Sequence, residues 1–420
     1  MAVTATSARE AEPRHSYRWA MLVLVWASYV SFGVVNNSTA PLVSAVMRDL
    51  DLSFTQMGTI LGAWPVVYIG VAYLAGAFID RVGLRVSVGI GVLLVALSGI
   101  LRGFATGFET MLACVAVFGL GGPLISIGAP KAISVWFAGR ERGTAVGFYS
   151  TAPTVGAITA LATANSLVLP LVGSWRGVFV FYGVATVAVA AVWWLAARDA
   201  PPGAQGPPAD PHGRARNDGA PLSMMALVRM RTVWTILIVV FGGFLVGHAI
   251  NAWLPRVLQS YGMTAVDAGL WAAVTTALGL PGVLLVPRWS PPGQRRYVVA
   301  LILAMGGAGT LAMSMGAGPL LVAGLALYGL LRASLLPVLI LTLMDSPAVG
   351  ARNMGAVAGL AFTTGEVGGF LGPFLMGSLL DLTGAFLSGL VVLSIISFMM
   401  IPVTLLVAEP RRSRDEAAAT

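Results

Sequence analysis

Charge is what this 420-residue chain has least of: 10% of its residues are Asp, Glu, Lys or Arg, while 57% are hydrophobic. A soluble domain carries about 25% charged residues, so the composition excludes a water-soluble globule and points to an integral membrane protein. Lysine is almost missing. Lys131 is the only one, and all other basic residues are arginine. Cysteine is reduced to Cys114, which excludes an intrachain disulfide. The three histidines, His15, His212 and His248, are far apart and offer no metal-ligand spacing. One histidine at membrane depth does not assemble a serine nucleophile with base and orienter. No Gly-x-x-x-x-Gly-Lys-Ser/Thr loop occurs, which leaves an ATP-driven motor unsupported. Alternating ten-residue strands are absent, which excludes an outer-membrane barrel. No cofactor, no metal and no enzymatic activity are expected.

What is present in quantity is apolar sequence. Runs of about 20 residues, long enough to cross the hydrocarbon core as helices, recur along the chain. They predict twelve helices over 19–47, 55–79, 86–106, 110–137, 143–170 and 176–197, then 233–257, 266–287, 297–316, 319–344, 353–380 and 384–407. The organisation expected is a tail (1–17), a six-helix bundle (18–197), a polar linker (198–232), a second bundle (233–408) and a tail (409–420). The linker is rich in Pro, Gly, Ala and Arg, with a short interfacial helix expected around Leu222–Arg229. The first apolar segment runs too long for a cleavable signal and lacks a small-residue cleavage site. The 51 glycines suit close helix packing where lipid supplies no hydrophobic drive.

The net charge of +8 is distributed by side rather than gathered for a nucleic acid. The tails and alternate loops hold 19 of the 25 basic residues, and the opposite loops hold only Arg48, Arg102, Arg176 and Arg256. That asymmetry places both termini in the cytoplasm.

The two halves echo each other. Arg142-Gly-Thr-Ala-Val-Gly147 leading to Pro153-Thr-Val-Gly156 answers Met354-Gly-Ala-Val-Ala-Gly359 leading to Gly365-Glu-Val-Gly368. Phe118-Gly119-Leu120 likewise answers Tyr328-Gly329-Leu330. At the start of the ninth helix the second half offers Arg288, Arg295 and Arg296 but no matching aspartate.

A charge at bilayer depth costs at least about 2.5 kcal/mol, so each one asks for an explanation. Glu366 is the one acidic residue expected in mid-membrane, and Arg332 is near the centre of helix ten. Glu366 is read either as a proton carrier that releases Arg332 to a substrate or as half of a permanent ion pair. Lys131 in helix four is either a point charge for the cavity or a snorkelling side chain. Arg102 is expected to snorkel outward. Asn36 and Asn37 in helix one face His248 and Asn251 in helix seven, as cavity lining or as hydrogen bonds within a half.

Between the second and third helices stands Gly76-Ala-Phe-Ile-Asp80-Arg81-Val-Gly83-Leu-Arg85. Gly76 admits a neighbouring helix, Asp80 can hold helix-end amides or an arginine across the gap, and Gly83 turns the chain. The stretch resembles the corresponding loop of the major facilitator superfamily, Gly-x-x-x-Asp-Arg-x-Gly-Arg-Arg, with Leu84 as a departure. The resemblance covers about residues 17–408. It implies an all-α integral membrane protein of twelve transmembrane helices in two pseudo-symmetric six-helix bundles, monomeric, in the cytoplasmic (inner) membrane. It also implies alternating access, with helices one, four, seven and ten around the cavity.

Trp136-Phe137-Ala-Gly-Arg140-Glu141-Arg142-Gly143-Thr-Ala145-Val-Gly147 is similar to a segment of branches that move anions. The third-helix arginine and the Gly-Glu-x-Gly-Gly of helix eleven look most like the cyanate-permease and monocarboxylate-type transporters. The implied function is secondary active, proton-coupled transport of a small organic or inorganic anion. The expected substrate contacts are Asn36, Asn37, Lys131, His248, Asn251 and Arg332. Glu366 is expected to couple protons, and Gly76, Asp80, Arg81, Gly83, Arg85, Glu141 and Arg142 to form the gating loops. A second reading is proton-driven efflux of drugs or metabolites, because Ala152-Pro153-x-x-Gly156 resembles an antiporter motif. A transport-derived sensor is a third.

Overall fold

A computed structural model describes residues 12–199, 223–346 and 349–407. Among them, twelve helices are long and apolar enough to cross a membrane. They are α1 (Tyr17–Leu50), α2 (Phe54–Val82), α3 (Leu84–Arg102), α4 (Phe108–Trp136), α5 (Glu141–Val172) and α6 (Trp175–Ala196). The second six are α7 (Arg231–Ser260), α8 (Ala265–Leu285), α9 (Arg295–Ser314), α10 (Pro319–Met344), α11 (Asn353–Thr383) and α12 (Phe386–Leu405). The fold is the expected all-helical one. Parts of the expected tails and linker, residues 1–11, 200–222 and 408–420, lie outside the described residues. A short helix, Met224–Arg229, occupies the place expected of an interfacial helix.

Local chemistry sets where the helices start and stop. Ser53 accepts from the Gln56 amide at 3.1 Å while Gln56 accepts from the Ser53 amide at 3.0 Å, a reciprocal cap that begins α2. Gly83, at φ +94°, turns the chain between α2 and α3. Several spans expected to be continuous are interrupted. α1 runs as a helix to Asn37, turns through Ala40–Leu42 around Pro41, and resumes at Val43. α10 stops at Arg332 and resumes at Leu335. α8 breaks between Ala277 and Gly279.

Glycines bring the helices together. A Cβ on Gly119 would lie 2.8 Å from the Trp64 carbonyl oxygen of α2, and one on Gly329 would lie 3.3 Å from Leu278 Cβ of α8. The residues read as repeats thus do the same work in each half. Gly365, Gly368 and Gly372 of α11 press on Val240–Ala249 of α7, a stripe of small residues at a helix crossing.

The two halves meet closely at one end. A Cβ on Gly62 of α2 would fall 2.6 Å from the Phe370 carbonyl of α11, and Gly58 packs on Pro373. The Asp381 carboxylate of α11 accepts from the amides of Phe54 (3.0 Å) and Thr55 (2.7 Å) at the start of α2. Ser44 donates to Gln259 at 2.6 Å, and Asn165 of α5 donates to the Ala265 carbonyl at 3.2 Å. α2 and α11 stay in ring contact as far as Tyr68 and Phe362, 5.7 Å apart. Beyond that they diverge: no atom lies within 4 Å of a Cβ built on Gly76, Gly355 or Gly359. Gly76 therefore has no helix against it in this state, contrary to its expected role. The gap at that end is the physical reason.

Asp381 is mostly exposed, so its grip on the α2 amides is worth about 0.5–1 kcal/mol. Asp381→Asn is expected to shift the equilibrium two- to fivefold toward opening at this end. Spin-label distances between the Ser44 end of α1 and the Gln259 end of α7 should lengthen in proportion. An unchanged distance distribution would remove Asp381 from the latch.

Candidate functional site

Between the halves lies a cavity of about 280 Å³. Asn36 and Asn37 of α1, Trp64 of α2 and Thr154 of α5 line it from the first half. His248 and Asn251 of α7, Thr275 and Thr276 of α8, and Tyr328 and Arg332 of α10 line it from the second. No carboxylate is among the lining residues. The expected contacts Asn36, Asn37, His248, Asn251 and Arg332 are brought together, and Lys131 is not.

Arg332 is the cation of the cavity. It is the last residue of the first segment of α10, where free helix carbonyls favour positive charge. Its Nη2 donates to the Gly243 carbonyl at 2.7 Å. The guanidinium fills the space that a side chain at Gly247 would need, and a Cβ there would lie 2.9 Å from Nε. Arg332 Nε is buried without a hydrogen-bond partner, and the Tyr328 hydroxyl is buried beside the guanidinium. The break in α8 supports this seat, since a Cβ on Gly279 would touch the Ala333 Cβ at 3.1 Å. Interrupted helices that aim polar ends at a midplane site are a recurring transporter device. Sequence reading overlooked Tyr328 and Gly247. The Tyr328-Gly329 repeat was the available signal for the first, and nothing marked the second.

Glu366 does not pair with Arg332. Its side chain is buried, outside the cavity lining, and its Oε2 is 3.9 Å from His248 Nε2. The expected partner is wrong because Arg332 is held on the far side of α7 by Gly243 and Gly247, while His248 turns toward α11.

Lys131 neither faces the cavity nor snorkels alone: its ammonium pairs with Asp80 at the end of α2. The remaining loop residues also bind within the first half. Arg18 grips Glu141 through two contacts of 2.6 and 2.8 Å. Arg142 caps α4 by donating to Ser134 and Phe137 carbonyls, each at 2.9 Å. Arg85 ties α3 to the Trp194 carbonyl at 2.6 Å, and Arg81 is exposed. In the second half, the aspartate missing from the start of α9 is supplied from just past the end of α10: Arg295 pairs with Asp345 at 2.7 Å.

Arg102 does not snorkel. It is 1% exposed and donates to the Val35 carbonyl (2.9 Å) and Thr39 (3.2 Å), with its guanidinium 5.7 Å from the Phe118 ring. The early stop of α1 at Asn37 leaves carbonyls that need donors. Arg102 thereby fixes the turn that presents Asn36 and Asn37. A second depression, at the sealed end, is lined by Arg48 and Arg256.

The profile of the Major Facilitator Superfamily matches residues 25–373. A probable L-galactonate transporter of Escherichia coli (strain K12) is 28% identical over 63% of this chain. The match spans 60% of that relative, under two thirds of its length. A hexuronate transporter of Bacillus subtilis (strain 168) is 24% identical over 84% of this chain and 87% of its own. Among solved structures, a bacterial homolog of the human lysosomal transporter Spinster, inward-facing and occupied, superposes with a TM-score of 0.69. It is 18% identical and covers 93% of this chain and 94% of that one.

Proposed function

The chain belongs to the Major Facilitator Superfamily, a transporter family rather than an enzyme family, and on that premise we propose that it carries a small polyhydroxylated carboxylate by alternating access, coupled to protons. One observation carries this reading: among the described residues lining the cavity, the Arg332 guanidinium, in its glycine notch, is the only permanently charged side chain. A guanidinium takes a carboxylate through two parallel hydrogen bonds. The neighbouring Asn36, Asn37, Asn251, Thr275 and Thr276 supply amides and hydroxyls suited to a sugar-acid backbone. Relatives named for galactonate and hexuronate point the same way. They move the anion class from cyanate and simple monocarboxylates toward sugar acids.

The basic end faces the cytoplasm by the positive-inside rule, so the sealed Asp381 end is external and this state opens inward. Glu366 is the group that takes the proton. Efflux of bulky lipophilic cations is disfavoured, since the cavity is positive and slightly smaller than the ~300–1,000 Å³ usual for ligand pockets.

Thermal stability of the purified protein decides between these. D-galactonate or glucuronate at about 100 times its dissociation constant should stabilise by about 2.7 kcal/mol. A shift only with lipophilic cations would turn the case to efflux.

A further inference from the structure

The cavity does not touch Glu366; His248 stands between them. Phe244 O can only accept, so the 3.1 Å contact from His248 Nδ1 requires a proton on Nδ1. In the neutral ring, Nε2 then carries a lone pair, and it faces Glu366 Oε2, a buried oxygen with no partner, across 3.9 Å. A lone pair opposite a buried carboxylate oxygen is repulsive; one proton between them makes both satisfied. The imidazole is held for this by stacking on Phe244 (centroids 5.5 Å) and by Trp64 at 6.1 Å. Gly369 leaves the room: a Cβ there would lie 3.1 Å from Oε2 and 3.3 Å from the ring carbons Cδ2 and Cε1.

We propose that His248 and Glu366 together hold one transported proton, which reaches Glu366 from the cavity only through His248 Nε2. Nε2 takes a proton from the cavity and forms an imidazolium whose Nδ1–H stays on Phe244. As the gap closes, that proton passes to Oε2, leaving a neutral ring and a neutral acid. Among the described residues, the other ionisable groups close enough to act on this pair are Arg332 from α10, Tyr29 from α1 and Tyr68 from α2. Of these only Arg332 carries charge at neutral pH.

Coupling follows from charge, and this part rests on the anion reading above. With the proton absent and no substrate bound, the Glu366 carboxylate balances Arg332. With the proton bound, the pair is neutral and the substrate anion balances Arg332. The two mixed states leave a net charge at membrane depth, which is costly to carry through reorientation. Anion and proton therefore cross together.

Infrared difference spectroscopy of the ligand-free protein tests the pair without any substrate. Wild type should show a carboxylic-acid carbonyl band that titrates with pH and is missing in Glu366→Gln. In His248→Gln the band should persist, but its deuterium exchange with buffer should slow tenfold or more. If that variant does not fold, Gly369→Ala, which presses on both groups, should slow it likewise. No titrating band at any pH, or exchange unaffected by both substitutions, overturns the proposal. Proton release and uptake in weak buffer then test coupling with D-galactonate as the probe: one proton taken up per anion in wild type, none in Glu366→Gln. Binding without proton uptake sinks the coupling and leaves the anion reading intact. No binding of D-galactonate to wild type counts against the anion reading, while the infrared result still decides the pair.

Discussion

Arg332→Gln is expected to lower affinity for a carboxylate substrate at least about a hundredfold and to stop accumulation in proteoliposomes. Hydrogen bonds to a charged group contribute about 1.5–3 kcal/mol each, and a bidentate carboxylate makes two. The cavity offers no second cation to take over, since Lys131 is engaged with Asp80. Glutamine is shorter and vacates the Gly247 notch, but it keeps an amide donor and removes a buried charge, so the thermal midpoint without ligand should change little. Lysine at 332 should recover only part of the affinity, because a point charge cannot form the paired geometry. Titration of the purified variants with D-galactonate measures each of these. Wild-type affinity in Arg332→Gln would place the anion elsewhere.

Gly247→Ala is expected to weaken the same binding about tenfold while leaving every charge in place. The added methyl would overlap the guanidinium, falling 2.9 Å from Nε and closer still to Cζ and Nη2. Arg332 must then leave the Gly243 carbonyl or α7 must move away, and overpacking of this kind costs about 1–3 kcal/mol. The decisive form is a double-mutant cycle, since residues in direct contact couple strongly. Once Arg332 has been replaced by glutamine, the alanine should cost almost nothing more in affinity. Additive losses would mean that Gly247 acts on the site through helix packing rather than through Arg332.

The twelve spans were legible because lipid demands long apolar helices and the chain has little else. Five polar residues of the cavity were legible too, because polar side chains at membrane depth are few and those on α1, α7 and α10 face inward. What sequence could not give was side-chain direction. Glu366 and Arg332 were within reach by depth alone, but glycines at 243 and 247 pull the arginine along one face of α7 while His248 presents the other. Arg102 was misjudged from its depth. The feature that claims it, the early end of α1 at Asn37, becomes visible only once the Pro41 turn is placed. Lys131 stood out for its rarity, and its partner Asp80 was already marked as a loop residue. Linking them required knowing that α2 and α4 end side by side. Asp345 is distant from Arg295 in sequence, and only the fold brings the end of α10 to the start of α9.

The most direct test is a structure of the protein with D-galactonate bound. The account predicts carboxylate density between α7 and α10, within hydrogen-bond distance of the Arg332 guanidinium, with the hydroxyl chain toward Asn36 and Asn251. Density for the anion at Lys131, or confined to the Arg48 and Arg256 depression, with Arg332 untouched, would contradict it.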